Sequence, residues 1–154
     1  AIRHPMPYGD LVEQACQRFA DYSDLDKHKC TIEEREEYEP HIDNGFIIYS
    51  GVDYGQILKA AEEEAEVILW DGGNNDLPFV RPDLLAVLAD PLRPGHEATH
   101  HPGETCARMA DVIVLSKCDT AAPEAVAAVA MIVIASGRNA TPVSTGVKAR
   151  FCCR

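Results

Sequence analysis

VIVLSKCD, at residues 112–119, begins with a run of four apolar residues, which is followed by a serine, a lysine, a cysteine and an aspartate. Continuous apolar runs of this length are typical of strands buried on both faces of a parallel sheet. Similar runs occur at residues 46–49, 67–70 and 84–88. Together, the four runs predict the strands of an α/β domain.

Helical patterns separate these runs. Apolar residues spaced along one face predict a helix over residues 11–20. Thr31 and Asp53 each precede such a pattern and predict N-caps. Pro123 predicts the first turn of a last helix that ends at Gly137. The alternation predicts a three-layer domain whose ligands bind beyond the carboxyl ends of the strands.

Composition limits the function classes. The 154 residues, 46% of them hydrophobic, suit one core, and the net charge of −11 argues against nucleic-acid binding. No apolar run reaches the roughly 18 residues of a membrane helix, so we expect a cytoplasmic protein without a membrane partner. The six cysteines form no CxxC pair and are expected to be reduced. The acidic stretches at residues 33–39 and 62–64 are interpreted as solvated helix faces.

Two strand ends carry candidate nucleotide-binding groups. Asp71 follows the run at residues 67–70 and precedes Gly72 and Gly73, as in a Walker B site that holds Mg²⁺ near a transferring phosphoryl group. A simple Gly/Asn/Asp turn is the alternative.

Ser116, Lys117 and Asp119 are similar to the N-K-x-D guanine-recognition motif of GTPases. Asp119 would accept hydrogen bonds from the base, and the stem of Lys117 would lie along it. Ser116 stands where that motif has asparagine. A loop in which Asp119 or Thr120 caps the next helix is the alternative.

Cations in proline-stiffened loops predict a clamp for a compact polyanion. Arg3 with His4 at one end of the sequence, and Arg93 with His96 in the middle, supply such groups, and Arg81 is a further candidate. Arginine binds phosphate through two parallel N–H bonds.

H-E-x-x-H at residues 96–100 favours another class. His96 and His100 would bind zinc, Glu97 would activate water, and Cys106 would supply a third ligand. Proline–glycine pairs bracket the segment and leave about two turns of helix at most, where zinc proteases have a long one.

Several longer stretches resemble the cyclic 2,3-diphosphoglycerate synthetase family. They are RHPMPYGDL at 3–11, CTIEEREEYEPHI at 30–42, WDGGNND at 70–76, DPLRPGHE at 90–97, HPGE at 101–104, RMAD at 108–111 and SKCDTA at 116–121. Ser116, Cys118 and His100 depart from the family's usual N-K-V-D and H-E-x-x-Y.

The resemblance implies an incomplete P-loop NTPase-like α/β domain over residues 1–146, with a mostly parallel sheet and an unassigned tail at 147–154. It implies Mg²⁺, ATP or GTP, and a small phosphorylated acid such as 2,3-diphosphoglycerate, in which an intramolecular phosphoanhydride is closed. The phosphate loop G-x-x-x-x-G-K-[ST] does not occur in these 154 residues. The isolated chain is therefore expected to be inactive.

The predicted roles follow from the motifs. They are catalysis by Asp71, Arg93 and His96, with Mg²⁺ at Asp71; nucleotide binding by Gly72, Gly73, Ser116, Lys117 and Asp119; and substrate binding by Arg3, His4, Arg93 and His96.

Two further readings stay open beside the zinc hydrolase. One is a metallochaperone-type GTPase whose metal is held by His100, His101 and Cys106. The other is a regulatory module that has lost catalysis. The sequence leaves the choice of ATP or GTP, the exact substrate and the formation of a homo-oligomer open.

Overall fold

The computed structural model describes residues 1–4, 9–72, 77–135 and 139–142. The chain divides into two compact units, Ala1–Gly72 and Gly73–Arg154. Each unit combines helices with a three-stranded sheet. The α/β class is therefore confirmed, whereas the three-layer P-loop-like arrangement stays a prediction. Gly73, Gly137 and the tail at 147–154 lie outside the described residues.

Twelve elements occur in the described ranges. In the first unit they are β1 (Ile2–Arg3), β2 (Gln17–Phe19), α1 (Tyr22–Lys27), α2 (Ile32–Asp43), β3 (Ile48–Ser50) and α3 (Tyr54–Glu62). In the second unit they are β4 (Ala86–Ala89), α4 (His96–Thr99), α5 (Gly103–Met109), β5 (Val112–Leu115), α6 (Pro123–Ala135) and β6 (Asn139–Pro142).

The sheet of the first unit has the order β1-β3-β2, with β1 parallel to β3 and β2 antiparallel to it. The run at residues 67–70 lies parallel to β1 but forms only an isolated bridge between Ile2 and Trp70. Backbone bonds from Ile2 N to Leu69 O (2.8 Å) and from Asp71 N to Ile2 O (3.0 Å) hold it there. The predicted strand is thus reduced to one bridge, yet its carboxyl end lies at the same edge as those of β1 and β3.

The predicted helix over residues 11–20 is wrong, because the segment ends in β2. Gln17 and Phe19 are buried and Arg18 between them is exposed, which is the period of a strand. Val12, at the start of the apolar pattern, is 84% exposed and therefore packs against no core. Pairing with β3 gives residues 17–19 a strand conformation, although the local apolar periodicity favours a helix.

The two predicted N-caps of the first unit are confirmed. Thr31 forms a capping box with Glu34 at the start of α2, and Asp53 accepts from Gln56 N at the start of α3. Helix α2 packs its Tyr38 into the core, where the hydroxyl donates to Ser50 Oγ at 2.8 Å. The core around it consists of Phe19, Leu25, Tyr38 and Ile48.

The acidic stretches are more than solvated faces. Glu34 is buried in its capping box, Glu37 pairs with Arg3, and Glu64 pairs with Arg18. The interpretation as a solvated face is therefore wrong for the buried Glu34, whose partner Thr31 the capping-box pattern does identify. The arginine partners of Glu37 and Glu64 lie 34 and 46 positions away and have no local signal in the sequence.

In the second unit β4, β5 and β6 form a parallel sheet in that order. Ile113 and Leu115 of β5 pack on one face against Val129 and Val133 of α6, which begins at Pro123 as predicted. On the other face Leu88 of β4 is 67% exposed. Burial of this run on both faces, expected from its continuous apolar pattern, is thus not observed for β4.

Two further predictions concern the environment of the chain. Within the described ranges, no helix has the length and apolarity required to span a bilayer. The described cysteines, Cys16, Cys30, Cys106 and Cys118, form no disulfide with one another, and their reduced state stays a prediction.

An ion pair on the first unit gives a pH-dependent stability. Arg18 donates to both carboxylate oxygens of Glu64, at 2.7 and 2.8 Å, and Tyr49 donates to Glu64 as well. The hydrogen bond from Arg18 and then that from Tyr49 lower the pKa of Glu64 from 4.5 to about 2. A carboxylate with a lowered folded-state pKa adds stability above its unfolded pKa, and this is lost as the pH falls through the folded value.

We therefore expect Glu64→Gln to lower the free energy of unfolding at neutral pH by less than about 1 kcal/mol, as for other solvent-exposed pairs. Between pH 4.5 and about 2, the stability of the variant should also fall less steeply than that of the parent chain. Urea unfolding at several pH values measures both effects. Glu62→Gln, on the exposed side of α3, is the matched control, and equal pH profiles for the two variants would contradict the assignment.

Candidate functional site

Residues that the sequence predicts for phosphate chemistry lie together at one edge of the first unit. Arg3 ends β1 and His4 follows it, while Asp71 and Gly72 follow the segment bridged to β1. Both stretches run parallel, so their carboxyl ends meet. In open α/β sheets this edge is where ligands bind.

Arg3 links two carboxylates at this edge. Its Nη1 lies 3.2 Å from Asp71 Oδ2, and its Nη2 lies 2.5 Å from Glu37 Oε2 on α2. Burial of Arg3 disfavours its charge, but the hydrogen bond that it donates to Glu37 and the charges of both carboxylates outweigh this effect and raise the pKa of Arg3. The guanidinium is therefore a fixed positive charge beside Asp71.

His41, one helical turn after Glu37, completes the cluster. Its Nε2 lies 3.6 Å from Asp71 Oδ2, which is longer than a hydrogen bond. Burial lowers the pKa of His41 and the charge of Asp71 opposes this. Neither Glu37 nor His41 was assigned a role from the sequence. Their spacing of four in CTIEEREEYEPHI, which places both on one helix face, was the available signal.

One oxygen of Asp71 is left for a ligand. The shortest contacts of the carboxylate with Arg3 and His41 both involve Oδ2, and Oδ1 makes no hydrogen bond with residues 1–4 and 9–72. Mg²⁺ is commonly held by one or two carboxylates together with phosphate oxygens and water. A single open carboxylate oxygen fits that requirement, and Mg²⁺ at Asp71 stays a prediction.

The second unit has a cavity of about 350 Å³ at the carboxyl end of β4. Both of the substrate-binding residues predicted in this unit, Arg93 and His96, line it, whereas Arg81 does not. The full lining is Leu88, Ala89, Asp90, Arg93, His96, Glu97, His100, His101 and Gly103.

The acids of the cavity are satisfied within the protein. Asp90 accepts from Lys117 Nζ at 2.7 Å and from Leu92 N at 3.0 Å, and the bond from Lys117 lowers the pKa of Asp90. Glu97 accepts from Gly95 N with both oxygens, at 3.1 and 3.0 Å. The backbone N–H of Arg93 donates to Asp90 O at 2.9 Å, but the guanidinium of Arg93 makes no hydrogen bond or ion pair with the described residues. The Arg93 side chain therefore brings to the lining a positive charge without an ion-pair partner in the described ranges, and Glu97 brings a negative charge to the same lining.

The residues predicted to bind a guanine base lie just after β5. Ser116 Oγ donates to Ala89 O at 3.1 Å, and Lys117 Nζ is paired with Asp90. Lys117 has a positive φ of 54°, which is uncommon for a residue with a side chain. Asp119 lies in the following turn. The first two side chains are thus engaged inside this unit.

A three-ligand metal site is not formed by the described residues. Helix α4 spans only His96–Thr99, and the rings of His96 and His100 are stacked with centroids 4.0 Å apart. Cys106 is buried on α5. The ligand sets suggested for the zinc hydrolase and for the metallochaperone are therefore not assembled in the described ranges.

The chain is similar to arginine synthetase ArcE of Thermococcus kodakarensis, with 66% identity over 121 residues. These residues are 79% of this chain and 27% of the relative, so the chain spans about a quarter of the relative's length. No family model matches the chain, and no solved structure matches it. The name of this relative and the family that the motifs resemble both describe a synthetase, but they specify different products.

Proposed function

We propose that this chain belongs to a nucleotide-dependent synthetase that uses phosphoryl transfer to activate a small acid. The observation that carries the proposal is the high identity with a curated synthetase. Two strand edges support the same chemistry: one has a carboxylate oxygen without a hydrogen bond, and the other has a cavity lined by Arg93 and His96. Because the chain spans about a quarter of that relative, the activity is proposed for the full-length protein.

The first strand edge is proposed to face the phosphates of ATP or GTP. Asp71 Oδ1 would hold Mg²⁺, which supplies charge neutralisation on the transferring phosphoryl group. Arg3, fixed by Glu37, places a positive charge beside this position. His4, which follows Arg3, is proposed to contact the same phosphates.

The second strand edge is proposed to hold the acid through Arg93 and His96. Charge-assisted bonds from a guanidinium to an oxyanion are among the strongest in proteins. The P-loop NTPase-like fold and the nucleotide contacts of Ser116 and Asp119 remain part of this proposal, whereas the predicted base contact of Lys117 is set aside because its ammonium is paired with Asp90.

Two substrates are compatible with the proposal. The motifs favour 2,3-diphosphoglycerate, in which one phosphate would attack the γ-phosphoryl group and the second would displace inorganic phosphate and close the ring. The relative's name favours a reaction whose product is arginine. Both use a nucleoside triphosphate and release phosphate in this account.

Two assays of the full-length protein distinguish these substrates. With Mg²⁺, ATP or GTP, and 2,3-diphosphoglycerate, phosphorus NMR is expected to show a cyclic phosphoanhydride if the first is correct. The arginine-forming reaction is assayed in reverse, starting from arginine, the nucleoside diphosphate and labelled phosphate. Label is expected to enter the nucleoside triphosphate if arginine is the product of the forward reaction. Absence of both products would contradict the proposed function.

A further inference from the structure

We propose that the cavity at the carboxyl end of β4 binds the oxyanion of the acid substrate through Arg93, His96 and His100, and that Lys117 positions Asp90 instead of contacting a nucleotide base. The inference rests on the proposed function for the identity of the acid. It extends that function by adding His100 to the site and by separating the acid from the nucleotide base.

The size of the cavity favours a small acid. Small-molecule sites range from about 300 to 1,000 Å³, and this cavity, at about 350 Å³, lies at the lower end. A nucleoside triphosphate requires a larger cavity volume than a three-carbon acid or an amino acid does. The nucleotide is therefore better accommodated elsewhere.

The hydrogen-bonding state of the lining favours an anion. The carboxylate of Asp90 is paired with Lys117 and so adds no unpaired negative charge, whereas Glu97 keeps its charge and is held by Gly95 N through both of its oxygens. Arg93 has five N–H donors without a described partner. In His100, Nδ1 lies 3.0 Å from Thr99 Oγ, and Nε2 makes no hydrogen bond with the described residues, while the ring stacks on that of His96. An imidazole nitrogen can donate to an oxyanion whenever it carries a proton.

The segment after β5 forms hydrogen bonds with two residues that line this cavity, Ala89 and Asp90. Ser116 is bonded to Ala89 O at the end of β4, and Lys117 reaches from the next strand to Asp90. Lys117 adopts a left-handed conformation, and conformations of this kind cluster at ligand sites where the surrounding structure enforces them. A lysine held in this way by a carboxylate does not lie along a base.

The test is a titration of the full 154-residue chain observed through histidine ring signals in ¹⁵N-edited NMR. The probes are 2,3-diphosphoglycerate, inorganic phosphate and acetate, of which the last two distinguish phosphate from carboxylate as the recognised oxyanion. We expect saturable shifts of His96 and His100 with at least one probe. Arg93→Gln should weaken binding about tenfold, as expected for loss of a charged hydrogen bond. Arg108→Gln, on exposed α5 outside the lining, should bind like the parent chain.

The role of Lys117 is tested by the same titration with guanosine and adenosine as competitors. We expect neither nucleoside to displace the oxyanion. Lys117→Gln should weaken oxyanion binding, and Lys117→Arg, which can still reach Asp90, should restore part of it. Displacement by guanosine, or equal binding by Lys117→Gln and the parent chain, would overturn the positioning role.

Unchanged histidine signals with all three probes at millimolar concentration would overturn the oxyanion site. These outcomes are separate from those of the proposed function, because binding is measured without turnover. Binding here with no nucleotide-dependent reaction in the full-length protein would leave the oxyanion site in place and remove only the synthetase assignment.

Discussion

Gly51→Ala is expected to destabilise the unit Ala1–Gly72 by about 2–3 kcal/mol or more, in the upper range of overpacking substitutions. A Cβ at this position would lie against Ala15 O and only 2.7 Å from Gln14 O. Both are backbone atoms that cannot rotate away. They also accept hydrogen bonds from Asp53 N and Val52 N, so moving them would break these bonds.

The expected loss extends to the first strand edge. Gly51 directly follows β3, whose pairing with β1 places Arg3 opposite Ser50. Urea unfolding followed by circular dichroism measures the change in stability. Gly55→Ala, near the start of α3, is the matched control and should be neutral or slightly stabilising, since alanine favours a helix over glycine. Equal stability of the two variants would contradict the close approach seen at Gly51.

Asp71→Asn is expected to reduce kcat of the full-length protein about 10²- to 10³-fold, the usual effect of removing one group that stabilises transition-state charge. Asparagine keeps the shape of the side chain but removes the negative charge that would hold Mg²⁺. Because the Asp71 side chain is 48% exposed, its ion pair with Arg3 should contribute little to folding. Steady-state kinetics as a function of Mg²⁺, together with thermal unfolding, separates the two effects.

Glu37→Gln is the control for this prediction. It removes the other carboxylate that contacts Arg3 without touching the open oxygen of Asp71. We expect a much smaller decrease in kcat and an unchanged dependence on Mg²⁺. If both variants reduce kcat equally, Asp71 acts only through Arg3, and the metal assignment would be wrong.

The elements that the sequence predicts well are those with strong local signals. Thr31 and Asp53 supply N-caps within their own helices, and β5 follows from four adjacent apolar residues. The failure at residues 11–20 has a non-local cause: the backbone of this segment bonds to Val52 and Asp53, and β2 pairs with β3. Tertiary pairing of this kind overrides helical periodicity.

For the candidate sites too, some residues follow from a sequence rule and others depend on tertiary packing. The rule that ligands bind at the carboxyl ends of strands is enough to select Arg3 and Asp71, which the structure brings within 3.2 Å. It does not select His41, because the register of α2 against the sheet is set by packing of Tyr38 and not by local spacing. The pairing of Lys117 with Asp90 joins residues 27 positions apart and has no local signal either.

The central claim is nucleotide-dependent phosphoryl transfer by the full-length protein. Its most direct test is the interconversion of nucleoside triphosphate and diphosphate with Mg²⁺, measured in two mixtures. One contains the triphosphate with 2,3-diphosphoglycerate, and the other contains the diphosphate, phosphate and arginine. We predict interconversion in at least one mixture that requires its organic substrate and is lost with Asp71→Asn. No interconversion in either mixture, or a rate independent of the organic substrate, would contradict the claim.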